Sequence, residues 1–183
     1  MVTVLMIPLS KGPVSLYQSE CGVAYGLLAL RVIIGVTFAL HGYGKFFRGG
    51  KLAGTARWFD SMGMRPGKLH ALAAASTELG GGLMFALGLL TPLAGAAMVG
   101  LMIVAGWTDH RKNGFFIVKK GWEYNLVLAT IGACIGLTGP GRYSIDRAIG
   151  LDVRPGIGLL ISAGVGIVAG IGTLVVFYRP PKS

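Results

Sequence analysis

Arg31 and Glu78 are ionisable side chains set deep in long apolar runs, and a charge in hydrocarbon is costly unless it is paired or faces a cavity. Each stands about nine residues into its run; at 1.5 Å per residue that is roughly 13 to 14 Å of depth. This predicts a buried ion pair between Arg31 and Glu78, serving either as a strut that fixes helix register or as the floor of a ligand site. Counting from the ends of the runs brings His41, Lys45, His70, Asp109, His110, Glu123 and Tyr124 to a second layer. Arg31, Phe38 and Lys45 recur every seven residues and so share a helix face, as do Glu123, Val127, Thr130 and Cys134, which sets Glu123 toward the bundle. His41, Gly42, Lys45, His110, Glu123 and Tyr124 thus outline an apolar pocket roofed by charge. Such a pocket suits a quinone-like or other amphipathic ligand, with His41 or His110 donating to a carbonyl and shuttling protons. His41 is the more suggestive of the two, because the glycines of His41-Gly-Tyr-Gly-Lys45 allow close approach of a ligand. His70 reads as an ordinary interfacial residue. No two of the three histidines stand at local ligand spacing, so no metal site is assigned, and no residue is assigned a catalytic role. A bound quinone is the one candidate cofactor.

The elements that must position these groups are membrane helices. The 183 residues are 53% hydrophobic and 13% charged, contain 31 glycines and have a mean hydropathy of +0.67, which excludes an ordinary water-soluble globule. The net charge of +10 therefore reports topology and anionic headgroups, and nucleic acid is excluded as a partner. Cys21 and Cys134 form no CxxC or metal-ligand spacing; they could approach as a disulfide only if the first and fourth spans touch. Residues 1–9 are too short an apolar run for a cleaved signal peptide. Five spans are predicted, at 22–44, 69–90, 92–108, 122–137 and 156–178. Thr91-Pro92 makes a tight hairpin between the second and third. Leu52, Ala56, Phe59 and Met62 recur at helical spacing opposite Lys51, Arg57 and Asp60, which predicts a short interfacial helix between the first two spans. Twelve basic residues, from Lys45, Arg48 and Lys51 through Arg111, Lys112, Lys119 and Lys120 to Arg179 and Lys182, fall on one side, against Lys11, Arg142, Arg147 and Arg154 on the other. The basic loops and the carboxyl terminus are therefore predicted to be cytoplasmic, with Trp58, Trp107 and Trp122 belting the same side. The fifth span carries Gly158, Ser162, Gly166 and Gly170 four apart, a close-packing face that serves either self-association or a partner, or packing inside its own bundle.

Several motifs in order over residues 27–146 resemble the DoxX family. They are Arg31, Gly35 and Phe38 leading into His41-Gly-Tyr-Gly-Lys45; Glu78-Leu-Gly-Gly-Gly; Gly88-Leu-Leu-Thr-Pro92; Lys112-Asn-Gly-Phe-Phe116; Gly121-Trp-Glu-Tyr124; and Gly139-Pro-Gly-Arg-Tyr-Ser-Ile-Asp146. The resemblance implies a four-helix membrane bundle, to which the fifth span is an addition. It also implies kinship with the membrane subunit of thiosulfate:quinone oxidoreductase, and a place in membrane redox assemblies that handle thiols and oxidative stress. Site residues carried over are Arg31, His41, Gly42, Lys45, Glu78, the loop motif Asn113, Gly114 and Phe115, then Glu123, Tyr124 and Asp146, the last lying in an extracytoplasmic motif with Arg142 and Tyr143. The third loop departs from the pattern with His110-Arg111, where relatives often have His-Leu.

The expected fold is all-α: an integral membrane four-helix bundle at 21–148, preceded by an amino-terminal tail at 1–20 and followed by a fifth transmembrane helix and short basic tail at 149–183. The expected function is that of a quinone-linked accessory or docking subunit of a membrane oxidoreductase in the cytoplasmic membrane of a prokaryote. With no dinucleotide fingerprint and no haem site, electrons would come from a partner or a bound quinol. Membrane lipids, redox proteins and a second copy joined through the fifth helix are the expected partners. A non-redox scaffold or small-solute transporter, with the Arg31/Glu78 pair gating a polar path, is the rival reading.

Overall fold

The computed structural model describes residues 13–180, with side chains from residue 20 onward. In hydrocarbon every backbone N–H and C=O must be satisfied within its own segment, and the described residues accordingly form helices, with a single bridge between Met64 and Tyr178 as the one strand-like contact among them. Helix α1 (Pro13–Phe47) starts inside the segment expected to be a tail, and α2 (Lys51–Met62) is the expected short amphipathic helix. Helix α3 (Gly67–Leu87) is followed by α4 (Thr91–Ala105), which runs on through a π turn, Gly106–His110, and a 3-10 turn, Arg111–Asn113. Helix α5 (Glu123–Thr138), the four-residue α6 (Ile145–Ala148) and α7 (Pro155–Phe177), with a π turn at Leu160–Val165, complete the chain. Three segments are long and apolar enough to cross a membrane, Glu20–Phe47, Thr91–Asn113 and Pro155–Phe177, while α5 is a shorter apolar helix. The signal-peptide reading of residues 1–9, Lys11 and Lys182 lie outside the described residues.

Helix α4 is the hub: it meets α3 on one side and α5 and α7 on another, while α3 also carries α1 and α2. The main core gathers Phe38, Phe85, Met98, Leu128 and Ile135 among these helices. A second core, Phe59, Met62, Met64 and Ala71, lies under α2, so this helix packs on α3 as well as presenting an outer face. Asp60 Oδ1 accepts the Gly67 N–H at 2.8 Å, so the last turn of α2 caps the start of α3. The expected hairpin stands between α3 and α4: Gly88 and Leu90 adopt φ of +65° and +45°, and Pro92 sits in the first turn of α4.

The small-residue stripe of α7 is filled by the same chain. Gly158 lies on Gly136, Gly166 on Ala96 and Val99, Gly170 on Gly100, and the Ser162 hydroxyl donates to the Ala133 carbonyl at 3.1 Å. Of the two readings of this face, packing inside the bundle is the one the contacts bear out, since α4 and α5 occupy it. Helix α1 packs on α3, and α5 on α4 and α7; the thiols of Cys21 and Cys134 are both free. The Arg179 N–H donates to the Gly63 carbonyl at 2.8 Å, which ties the end of α7 to the α2–α3 turn. Because α3 and α4 form a hairpin, that end of the molecule also carries the long loop between α4 and α5. The basic segments thus gather at one end.

Candidate functional site

Arg31 and Glu78 do not meet, and helix register is the reason. Gly35 of α1 lies over Gly82 and Ala86 of α3, and Gly42 lies over Ala75 and Glu78, which fixes the antiparallel alignment. Arg31 therefore reaches the far end of α3, where its guanidinium lies against Gly88, ten residues or about 15 Å beyond Glu78 along the helix. A Cβ at Gly88 would collide with Nη1 of Arg31, so this position needs glycine both for its left-handed φ and for the space. The guanidinium is fully buried, Nη2 donates to the Tyr143 carbonyl, and Asp146 supplies the neighbouring negative charge. Nε and Nη1 of Arg31 have no partner among the described residues.

Asp146 is the organising carboxylate of this end. It accepts the Leu90 N–H at 2.7 Å, the Thr91 N–H at 2.8 Å and the Thr91 hydroxyl at 2.7 Å, placing a negative charge on the first turn of α4. Tyr143 stacks on Tyr25 with ring centroids 5.1 Å apart. Arg142 lines a cavity of about 810 Å³ beside Cys21 and Arg147. The motif Arg142, Tyr143 and Asp146 therefore works with Arg31 to lock the α3–α4 turn.

Glu78 instead accepts from Lys45 Nζ across the α1–α3 seam, one helical turn from exposed His41. The remaining predicted pocket residues fold the loop between α4 and α5. The His110 Nδ1 bonds with the Lys120 carbonyl at 2.8 Å, Asn113 Nδ2 donates to the same carbonyl at 3.1 Å, and Glu123 accepts the Ile117 N–H at 2.9 Å. Phe115 meets Trp122 edge-on at 4.9 Å, with Gly114 at φ +80° between the 3-10 turns Arg111–Asn113 and Ile117–Lys119. No hydrogen bond or ion pair among the described residues joins this loop set to His41, Lys45 or Glu78. Helix α5 also turns the other way from expectation: Val127, Thr130 and Cys134 are exposed, and the buried face is Asn125, Leu128, Gly132 and Ile135.

The groove with site-like chemistry was missed in the sequence because it is centred on His70. It is about 270 Å³, lies between α3, α4 and α7, and is lined by His70, Ala74, Thr77, Gly100, Leu101 and Thr173, among others. His70 is 6% exposed, wedged between Phe59 and the edge of Phe177, and its Nε2 has no partner among the described residues. A buried ring nitrogen left open in an apolar groove can donate to a ligand carbonyl or accept from a ligand hydroxyl, according to its tautomer. The available signal was the spacing of His70, Ala74 and Thr77, which share one face of α3.

Helices of this length and apolarity, with buried charges held by partners on neighbouring helices, define a membrane protein. A family model for DoxX matches residues 26–111. The chain is 31% identical over 121 residues to "Putative oxidoreductase CatD" of Bacillus subtilis (strain 168), covering 66% of this chain and 84% of that protein. It is 29% identical over 124 residues to "Inner membrane protein YqjF" of Escherichia coli (strain K12), covering 68% of this chain and 92% of that one. The chain belongs to the DoxX family. No solved structure matches it.

Proposed function

We propose that this DoxX protein is a quinone-linked accessory or docking subunit of a membrane oxidoreductase complex, working in thiol and oxidative-stress handling in the cytoplasmic membrane of a prokaryote. The observation that carries this reading is the unpartnered His70 Nε2 in the apolar groove of α3, α4 and α7. The groove is near the lower end of small-molecule sites, roughly 300–1,000 Å³, which suits a ring headgroup whose isoprenoid tail continues into lipid. His70 would hold a ring oxygen, Thr77 and Thr173 stand on the groove wall, and the rings of Phe59 and Phe177 fix the imidazole. A bound quinone would supply two-electron carrier chemistry; the protein supplies position, a dry wall and one proton-exchanging nitrogen. The name of the Bacillus relative supports an oxidoreductase setting. In this reading α1, α3, α4 and α5 form the four-helix membrane bundle of residues 21–148, and α7 is an added fifth span. The basic end faces the cytoplasm. Redox partners, or a second copy, would dock on the outward side of α7, where Leu160, Val168 and Val175 are exposed.

An azidoquinone crosslinked by light in native membranes tests the site. Label is expected in peptides spanning His70–Thr77 and Ala97–Val104, competed by unlabelled quinone and lost in His70→Leu. Label confined to other helices would refute the groove assignment.

A further inference from the structure

On a different side of α4 from the His70 groove lies a second pocket, of about 320 Å³, at the basic end of the molecule. The π turn Gly106–His110 builds one wall: with an extra residue in the turn, Trp107 and Arg111 come to one side, and the guanidinium lies over the indole ring at 4.0 Å. Trp122, just before α5, also lines the pocket. So does Asn125, one turn further on and only 6% exposed. Its Nδ2 points to the Met102 sulfur at 3.6 Å, and its Oδ1 has no partner among the described residues. The walls toward the middle of the helices are apolar, Ile103 and Ala129 among them.

These groups specify a ligand. The open amide oxygen of Asn125 requires a donor, so the ligand carries a hydroxyl or an amine. Arg111 requires a negative group and repels an ammonium, which leaves the hydroxyl. Exposed indoles flanking an apolar wall belong at the membrane border, where a headgroup sits above its own acyl chains. We infer that this pocket holds the headgroup of an anionic, hydroxyl-bearing phospholipid of the phosphatidylglycerol type. Its glycerol hydroxyl donates to Asn125 Oδ1, its phosphate meets Arg111, and a chain lies along Ile103 and Ala129. Phosphatidylcholine offers no hydroxyl donor, and phosphatidylethanolamine brings an ammonium toward Arg111. The site is separate from the quinone groove and does not depend on it.

The two tryptophans report on it directly. In the full-length protein with Trp58→Phe, reconstituted in phosphatidylcholine vesicles, lipids brominated on the acyl chain quench Trp107 and Trp122 on contact. Brominated phosphatidylglycerol is expected to quench saturably, with half effect at a mole fraction about tenfold below that of brominated phosphatidylcholine, as for one site with a charge-assisted contact. Arg111→Glu, at an exposed side chain, is expected to abolish that preference, and Asn125→Leu to weaken it several-fold. Equal quenching by the two lipids, or a preference untouched by Arg111→Glu, would overturn the assignment; the latter decides the matter even where Asn125→Leu fails to fold. Soluble glycerol 1-phosphate in millimolar excess is expected to leave quenching unchanged. Full displacement by it would reassign the pocket to a soluble polyol phosphate and overturn the lipid reading.

Discussion

Lys45 and Glu78 put opposite charges on facing turns of α1 and α3, with Glu78 buried and Lys45 largely so. Breaking such a pair leaves an uncompensated buried charge, whereas replacing both partners removes the problem together with the interaction. Lys45→Met and Glu78→Met are therefore expected to couple by about 1–3 kcal/mol in a double-mutant cycle read by unfolding in detergent. Arg31→Met with Glu78→Met is expected to be additive within about 0.5 kcal/mol, because those side chains share no partner. Coupling in the second cycle and none in the first would restore the pairing that depth alone suggests. That Arg31 and Glu78 matter is legible from their residue type and place in the sequence; Asp146 is singled out there only by the resemblance to the DoxX family. Their partners are not, because depth counted from span ends fixes a level only to within a turn or two, and opposite helices count from opposite sides. The glycine contacts at Gly35 and Gly42 set the register, and those are tertiary facts.

Among the elements, one tight seam lies between α5 and α7. Gly136 lies where a side chain would collide with the Ser162 hydroxyl and the Gly158 carbonyl. Gly136→Val is expected to lower stability by about 2 kcal/mol or more, since overpacking a fitted seam displaces backbone. Gly164→Ala, between Ser162 and Gly166 but off the seam, with open space at its Cβ, is expected to be neutral or slightly stabilising by helix propensity. Thermal unfolding of the two variants side by side checks this; equal melting temperatures would mean that α7 does not pack there. The existence of the apolar helices, the Thr91-Pro92 hairpin and the small-residue stripe of α7 can all be read from spacing. The stripe's occupant cannot, because a small-residue face fits a helix of the same chain as well as one from a second copy. Helix α5 misleads for a related reason: Glu123, Val127, Thr130 and Cys134 look like a polar inner face, yet glutamate is satisfied in its own loop at Ile117 and leaves the buried face to Asn125, Leu128, Ile135 and two glycines.

For the whole molecule, charge and packing divide the labour between two ends. One end is closed by Arg31, Tyr143 and Asp146 around the α3–α4 turn, and the other collects the basic loops, the aromatic residues and the carboxyl-terminal strap from Gly63 to Arg179. Two of the cavities flank α4 on different sides, and each presents one buried polar atom without a partner among the described residues, at His70 and at Asn125. Neither was apparent in the sequence, since an open valence is a property of what surrounds a side chain. The most direct test of the quinone reading is the amount of quinone extracted by organic solvent from gently purified protein, counted per chain by mass spectrometry, for wild type and His70→Leu. Close to one equivalent in wild type, falling at least several-fold in a folded His70→Leu variant, is the expected result. Quinone absent from wild type, or equal in both proteins, would contradict it.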